Sequence, residues 1–236
     1  MDDPAARTTA PGRAVAGGGA VPGGPTGAAT RLLVLGSVRI FQPVHGYYLR
    51  RELVSWRIDD WANVHPGSIY NALRALTRSG LLEEVATGSA GARPARTSYR
   101  LTSSGEEEFG ALLRSALRAT DEPTAFLTGV NFAFALPRPE VLEAVGAHAD
   151  GLAAQLESLA AQIAELLADD EVPDMASEVL RITAARTGGE LAWATDYLAR
   201  VRGGAYAFAG EAPDWVPTPA QIADAERARV GIAGLA

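Results

Sequence analysis

The chain has 236 residues, of which 47% are hydrophobic and 21% charged, an ordinary balance for a globular protein of one large or two small domains. It contains no cysteine, which excludes a disulfide framework, a thiolate metal site and a cysteine nucleophile. No run of 18 apolar residues occurs, since Arg39 breaks Leu32–Phe41; no transmembrane helix is expected and the protein is read as cytoplasmic. The net charge of −7 conceals a split. Residues 30–105 hold 10 Arg against 5 acids, residues 106–236 hold 9 Arg against 21 acids, and residues 1–29 hold two of each sign. A basic segment followed by an acidic one suggests a polyanion-binding module joined to a body with another task. All 21 basic residues are Arg, whose planar fork suits phosphate and guanine.

Residues 1–29 are rich in Gly, Pro and Ala. They cannot bury enough apolar surface to offset ordering, and a disordered tail is expected. Thr30 is the expected N-cap of a first helix with Leu32, Leu35 and Val38 on one face, ended by Pro43. A second helix runs from about Gly46 to Trp56 with Leu49, Leu53 and Trp56 at buried spacing, leaving Arg50 and Arg51 to solvent or a ligand. His65-Pro66 opens a third, with Ile69, Leu73 and Leu76 inward and Gly80 as its stop. Its opposite face carries Ser68, Asn71, Arg74, Ala75 and Arg78 and no acid. Hydroxyl, amide and guanidinium groups so placed can read base edges and phosphates in a major groove. Two strands follow, Leu81–Ala86 and Thr97–Leu101, around a loop carrying Arg93 and Arg96. Three helices and a hairpin make a winged helix-turn-helix with the third helix as reader.

Four strings then resemble a known family. His45-Gly46-Tyr47-Tyr48-Leu49, Pro66-Gly67-Ser68-Ile69-Tyr70-Asn71-Ala72-Leu73, Gly80-Leu81-Leu82-Glu83 and Tyr99-Arg100-Leu101-Thr102-Ser103-Ser104-Gly105 look, in order and spacing, like the PadR family of bacterial transcriptional regulators. The resemblance implies a dimeric repressor on an inverted-repeat operator, with Tyr47, Ser68 and Tyr70 approaching the DNA backbone. It also implies release of many members from DNA by small aromatic or drug-like compounds. On this reading Ser68, Asn71, Arg74 and Arg78 face the major groove, Tyr47 and Tyr70 fix the backbone, and Arg93 and Arg96 extend the grip from the wing.

Beyond residue 105 the pattern is all helical. Ser104 is the expected cap of a helix with Phe109, Leu112, Leu113, Ala116 and Leu117 on one face and Glu106–Glu108 in its first turn. Pro123–Pro137, with Phe126, Leu127, Val130, Phe132 and Phe134, reads as a short buried helix. From Pro139 to about Ala168, Val145, Ala149, Leu152, Leu156, Leu159, Ile163 and Leu166 form a heptad seam. Such a seam can close an antiparallel pair within one chain or pack across a dimer axis; the dimer is preferred, through Leu152, Leu156, Leu159, Ile163 and Leu166. A second long helix, from about Met175 to Arg202, ends at Gly203-Gly204. Its residues 184–201, with Glu190, Trp193 and Tyr197, resemble the C-terminal region of the longer family members. A loop and a last helix over 219–230 complete the chain.

Phe126, Phe132, Phe134, Trp193 and Tyr197 are candidates for an effector pocket, although aromatics at helical spacing also build ordinary cores. An enzyme is the class with least support. The histidines His45, His65 and His148 show neither metal-site spacing nor a close carboxylate, and no Gly-rich phosphate loop with a following Lys exists. No cofactor and no metal are expected. The organisation read from sequence is a tail (1–29), a winged helix (30–105) and a helical dimerisation and effector body (106–236). The competing reading is a ligand-binding or protein-interaction adaptor whose winged helix does not read DNA.

Overall fold

The computed structural model describes residues 27–62, 64–65, 67–87 and 96–213. The expected tail, up to residue 26, and the helix expected over 219–230 lie outside the described residues. In chain order the elements are α1 (Ala28–Phe41), β1 (Val44–His45), α2 (Gly46–Ser55), α3 (Ile58–Trp61), α4 (Ser68–Arg78), β2 (Leu82–Thr87), β3 (Arg96–Leu101), α5 (Ser103–Ala116), α6 (Pro123–Phe132), α7 (Arg138–Leu167) and α8 (Glu178–Arg202). The architecture is mainly α, a winged helix-turn-helix followed by helices, as the sequence predicts.

α1 starts earlier than its expected cap. The Arg31 N–H donates to Gly27 O at 3.0 Å, so Gly27 is the N-cap and Thr30 lies inside the first turn; Ala28 and Ala29 are strong helix formers and extend it backwards. Leu32, Leu35 and Val38 are buried as expected, and so are Leu33 and Val34, because α4 and β3 cover one flank and α5 and α6 the other. The three-stranded antiparallel sheet has the order β1-β3-β2, with Leu82 opposite Leu101 and Val44 opposite Tyr99. β1 and α3 were not expected. A two-residue strand is held by a partner more than 50 residues away, and a four-residue helix is too short for periodicity to reveal. The helix expected as the third in the sequence is therefore α4.

The cap of α5 is Thr102 and not Ser104. Its Oγ1 accepts from Gly105 N–H at 3.0 Å and donates to Gly80 O at 2.7 Å, so one hydroxyl caps α5 and ties it to the end of α4. Gly80 itself has φ of 73°, the left-handed conformation that suits glycine after a helix. α5 faces two ways. Arg31 and Arg39 of α1 pair with Glu108 and Glu106, while Arg114 on the other side and Arg118 just beyond the helix reach Glu140 and Glu143 of α7 at 2.7 and 2.8 Å.

α7 and α8 form a long antiparallel hairpin. Arg138 Nη1 at the start of α7 donates to Val201 O near the end of α8 at 2.6 Å, and His148 meets Glu190 midway. The stretch expected as helix from Met175 opens with a 3-10 turn, Asp174–Ser177, before α8 begins. Along the seam Val145 and Leu152 are buried, whereas Ala149, Leu156, Leu159, Ile163 and Leu166 are half-buried. Towards the tip Met175, Val179 and Ile182 are 77, 71 and 52% exposed. One buried cluster runs from Leu32 of α1 through Leu73, Phe109, Leu113 and Phe132 to Val145 and Val201. Each such fully buried side chain contributes roughly 1.5–3 kcal/mol.

Candidate nucleic-acid interface

α4 is amphipathic by its own spacing. Ile69, Leu73 and Leu76 are at most 2% exposed and Ala72 is buried with them; Ser68, Asn71, Arg74 and Arg78 are exposed on the other side, with Ala75 half-buried at the margin. Arg74 Nη2 donates to Asn71 Oδ1 at 2.6 Å, which fixes one edge of the guanidinium and leaves the Asn71 amide donors outward. Arg78 stands in the last turn, where the carbonyl end of the helix favours a cation. The four outward groups offer donors and neutral acceptors and no carboxylate.

Gly46 explains how α2 is seated. A Cβ there would come within 3.1 Å of Tyr70 Cε1 and 3.3 Å of Leu73 Cδ1, so the start of α2 lies directly against α4. Beside it Tyr47 is 55% exposed and Tyr70 38%, unusual for large rings with no cover. At the base of the wing, burial first and the Glu84 charge second push the Tyr99 hydroxyl above its ordinary range, with the Arg74 charge pulling the other way. The outward face of α4 and β3 are thus electrostatic neighbours. Arg93 lies outside the described residues; Arg96 opens β3, its side chain also outside them. On α2 Arg51 is held by Glu52 at 2.8 Å and lies over the Tyr48 ring, while Arg50 is exposed beside it. The sequence leaves both Arg50 and Arg51 to solvent or a ligand, and of the two Arg51 is the one engaged by its neighbours.

The five aromatic candidates of the body fall into two groups. Phe132 is 1% exposed and packs edge-on against Phe109, with Phe134, 46% exposed, at its rim. Phe126 meets Trp193 edge-on, Trp193 stacks on Tyr197 at 5.0 Å between centroids, and Tyr197 stacks on Tyr206. Phe126 also lies 3.7 Å from the His148 ring. His148 is a correction. The sequence offers it no nearby carboxylate, yet the hairpin places its Nε2 at 3.2 Å from Glu190 Oε1, because residues 42 apart in sequence face each other across antiparallel helices. Among the described residues no group of three or more His, Asp or Glu could hold a metal ion, and no helix is long and apolar enough to cross a membrane.

Residues 34–111, from α1 into α5, match the model of the transcriptional regulator PadR-like family. Over this third of the chain the protein is similar to the PadR-like family. The match takes in α2, α4, both wing strands and the Thr102–Gly105 cap, so all four sequence strings fall within it. No curated protein matches the chain. Solved structures that it resembles include Bacillus subtilis PadR in complex with operator DNA, at 22% identity over 72% of this chain and 98% of that one with a TM-score of 0.31. Another is a PadR-like transcriptional regulator from Bacillus cereus, at 16% identity over 76% and 99% with a TM-score of 0.35.

Proposed function

We propose that this PadR-like protein is a sequence-specific DNA-binding regulator, a repressor, acting as a homodimer on an inverted-repeat operator. The observation that carries the reading is the outward face of α4, where Ser68, Asn71, Arg74 and Arg78 stand exposed without an acid in a domain of this family. In this reading those four enter the major groove, Tyr47 and Tyr70 grip the backbone, and Arg93 and Arg96 follow it from the wing.

Residues 30–105 bind DNA, and residues 106–236 dimerise and take up an effector. Met175, Val179 and Ile182 are exposed and Leu156, Leu159 and Ile163 half-buried, apolar side chains that a second hairpin would cover, beside the contacts α7 makes with α8. A two-fold dimer sets its reader helices about 34 Å apart, one turn of DNA. A small aromatic effector acting near Phe126, Phe132, Phe134, Trp193 and Tyr197 would release the operator by preferring a dimer shape with another spacing. The protein works in the cytoplasm.

The test is fluorescence anisotropy with labelled DNA from upstream of the protein's own gene, at two salt concentrations and with excess nonspecific competitor. Binding that survives competitor and weakens steeply with salt supports the reading. If genomic-fragment selection also yields no specific site, the winged helix is an adaptor surface and the reading fails.

A further inference from the structure

The His148 ring is wholly buried where three parts of the molecule meet. Its Nδ1–H donates to Ala119 O at 2.7 Å, so the ring on α7 holds the connection between α5 and α6. One face stacks on Phe126 of α6, with centroids 3.7 Å apart and planes 10° from parallel. Nε2 points to Glu190 of α8, whose Oε1 stands 3.2 Å away, and is itself buried without a hydrogen-bond partner. With Nδ1 committed as the donor, a neutral ring presents a bare lone pair to that carboxylate. A protonated ring would instead bury a charge.

We propose that His148 is a proton-sensitive joint, which as a neutral ring holds α7, α8 and the α5–α6 connection together and which acid loosens. This inference rests on the packing of the body and is independent of the DNA reading. The groups around the ring favour the neutral state. The α5–α6 connection offers the Ala119 carbonyl, its Arg118 being engaged by Glu143 of α7; α6 offers only Phe126; on α7 the neighbouring Asp150 is exposed; α8 brings Glu190, the single charge that acts on the ring. Burial outweighs the pull of the Ala119 carbonyl and of Glu190 and lowers the His148 pKa below its ordinary 6.5. The sign follows: a base whose folded pKa is depressed binds protons more readily when unfolded, so stability present above 6.5 is lost as pH falls below it.

The experiment titrates the full-length protein between pH 5 and 8 by long-range proton–nitrogen NMR of the imidazoles, with urea unfolding at the two ends. His45→Gln and His65→Gln identify the His148 signal by elimination, so no variant at His148 itself has to fold. A His148 ring that holds its proton on Nδ1 and titrates below 6.5, in a protein whose urea midpoint drops between pH 7.5 and 5.5, is the expected result. Glu190→Gln removes the charge that favours protonation and supplies an amide donor for Nε2. It should lower the His148 midpoint further and enlarge the acid drop, whereas a merely structural contact would leave both unmoved. A midpoint at or above 6.5, a urea midpoint flat across this range, or a Glu190→Gln titration identical to wild type overturns the proposal.

Discussion

Replacing Gly105 by Ala adds one methyl group, and the structure leaves no room for it. A Cβ built at Gly105 comes closer than 3.0 Å to Leu81 O and 3.1 Å from Leu81 C, both backbone atoms. That carbonyl cannot swing away cheaply. It accepts the Thr102 N–H at 3.1 Å, and Leu81 N–H in turn donates to Leu76 O at 3.0 Å in the turn that ends α4. Retreat would break one or two of these bonds, at about 0.5–1.5 kcal/mol each, and weaken the Thr102 cap, worth about 1 kcal/mol. With overpacking strain of about 1–3 kcal/mol, the expected loss is roughly 2.5–7 kcal/mol, a large share of the 5–15 kcal/mol that usually separates folded from unfolded. Urea unfolding followed by far-UV circular dichroism measures it, with Gly146→Ala as the control. Gly146 lies within α7 and has nothing within 4 Å of its added Cβ, so the same substitution there should gain up to about 1 kcal/mol. A loss below about 1 kcal/mol at Gly105, or equal effects at both sites, would refute the reasoning that backbone crowding fixes this glycine.

Three further outcomes are expected. Arg74→Ala should weaken operator binding by about 1–3 kcal/mol and relax preference at one base position, whereas Arg96→Ala should weaken all sequences alike and reduce the salt slope by about one; competition across operator variants tells the two apart. Val179→Asp together with Ile182→Asp should shift the protein from dimer to monomer in sedimentation equilibrium, since charges on the apolar tip would be buried unpaired, while far-UV circular dichroism stays unchanged. The Glu211 carboxylate is held below its usual range, chiefly by the Arg138 guanidinium, which also reaches the carbonyls of Val201 and Tyr206. A depressed carboxyl pKa makes this anchoring complete above 4.5 and lost as pH falls through the folded value, so near-UV circular dichroism of Tyr206 should change under acid in wild type and not in Glu211→Gln.

The winged helix was legible because its evidence is local. Leu49 and Leu53, or Ile69, Leu73 and Leu76, announce a buried face by spacing alone, and what remains on α4 is then the reading face. The Thr102 cap was hidden among three consecutive hydroxyls, Thr102, Ser103 and Ser104; the choice is made by Gly80 O, which only tertiary structure delivers. β1 and the His148–Glu190 approach were hidden for the same reason, as each depends on a partner more than 40 residues away. The heptad seam was legible as apolar spacing but not as a partner. Its upper half packs on α8 within the chain, and the same spacing would serve a second chain equally well.

The ion pairs on both sides of α5 give the body a mechanical property. α7, with 30 residues, is about 45 Å long at 1.5 Å per residue, and α5 grips it close to one end through Glu140 and Glu143. The hairpin is therefore a lever whose fulcrum is shared with the winged helix. A tilt of about 5° at the fulcrum carries the far tip through about 4 Å over that length. If the tips of two chains are clasped together, the displacement must appear at the free ends, as a change in the distance between the two α4 helices. On the proposed DNA-binding reading, a disturbance no larger than one side chain at the root would take the two α4 helices out of step with the turn of the DNA.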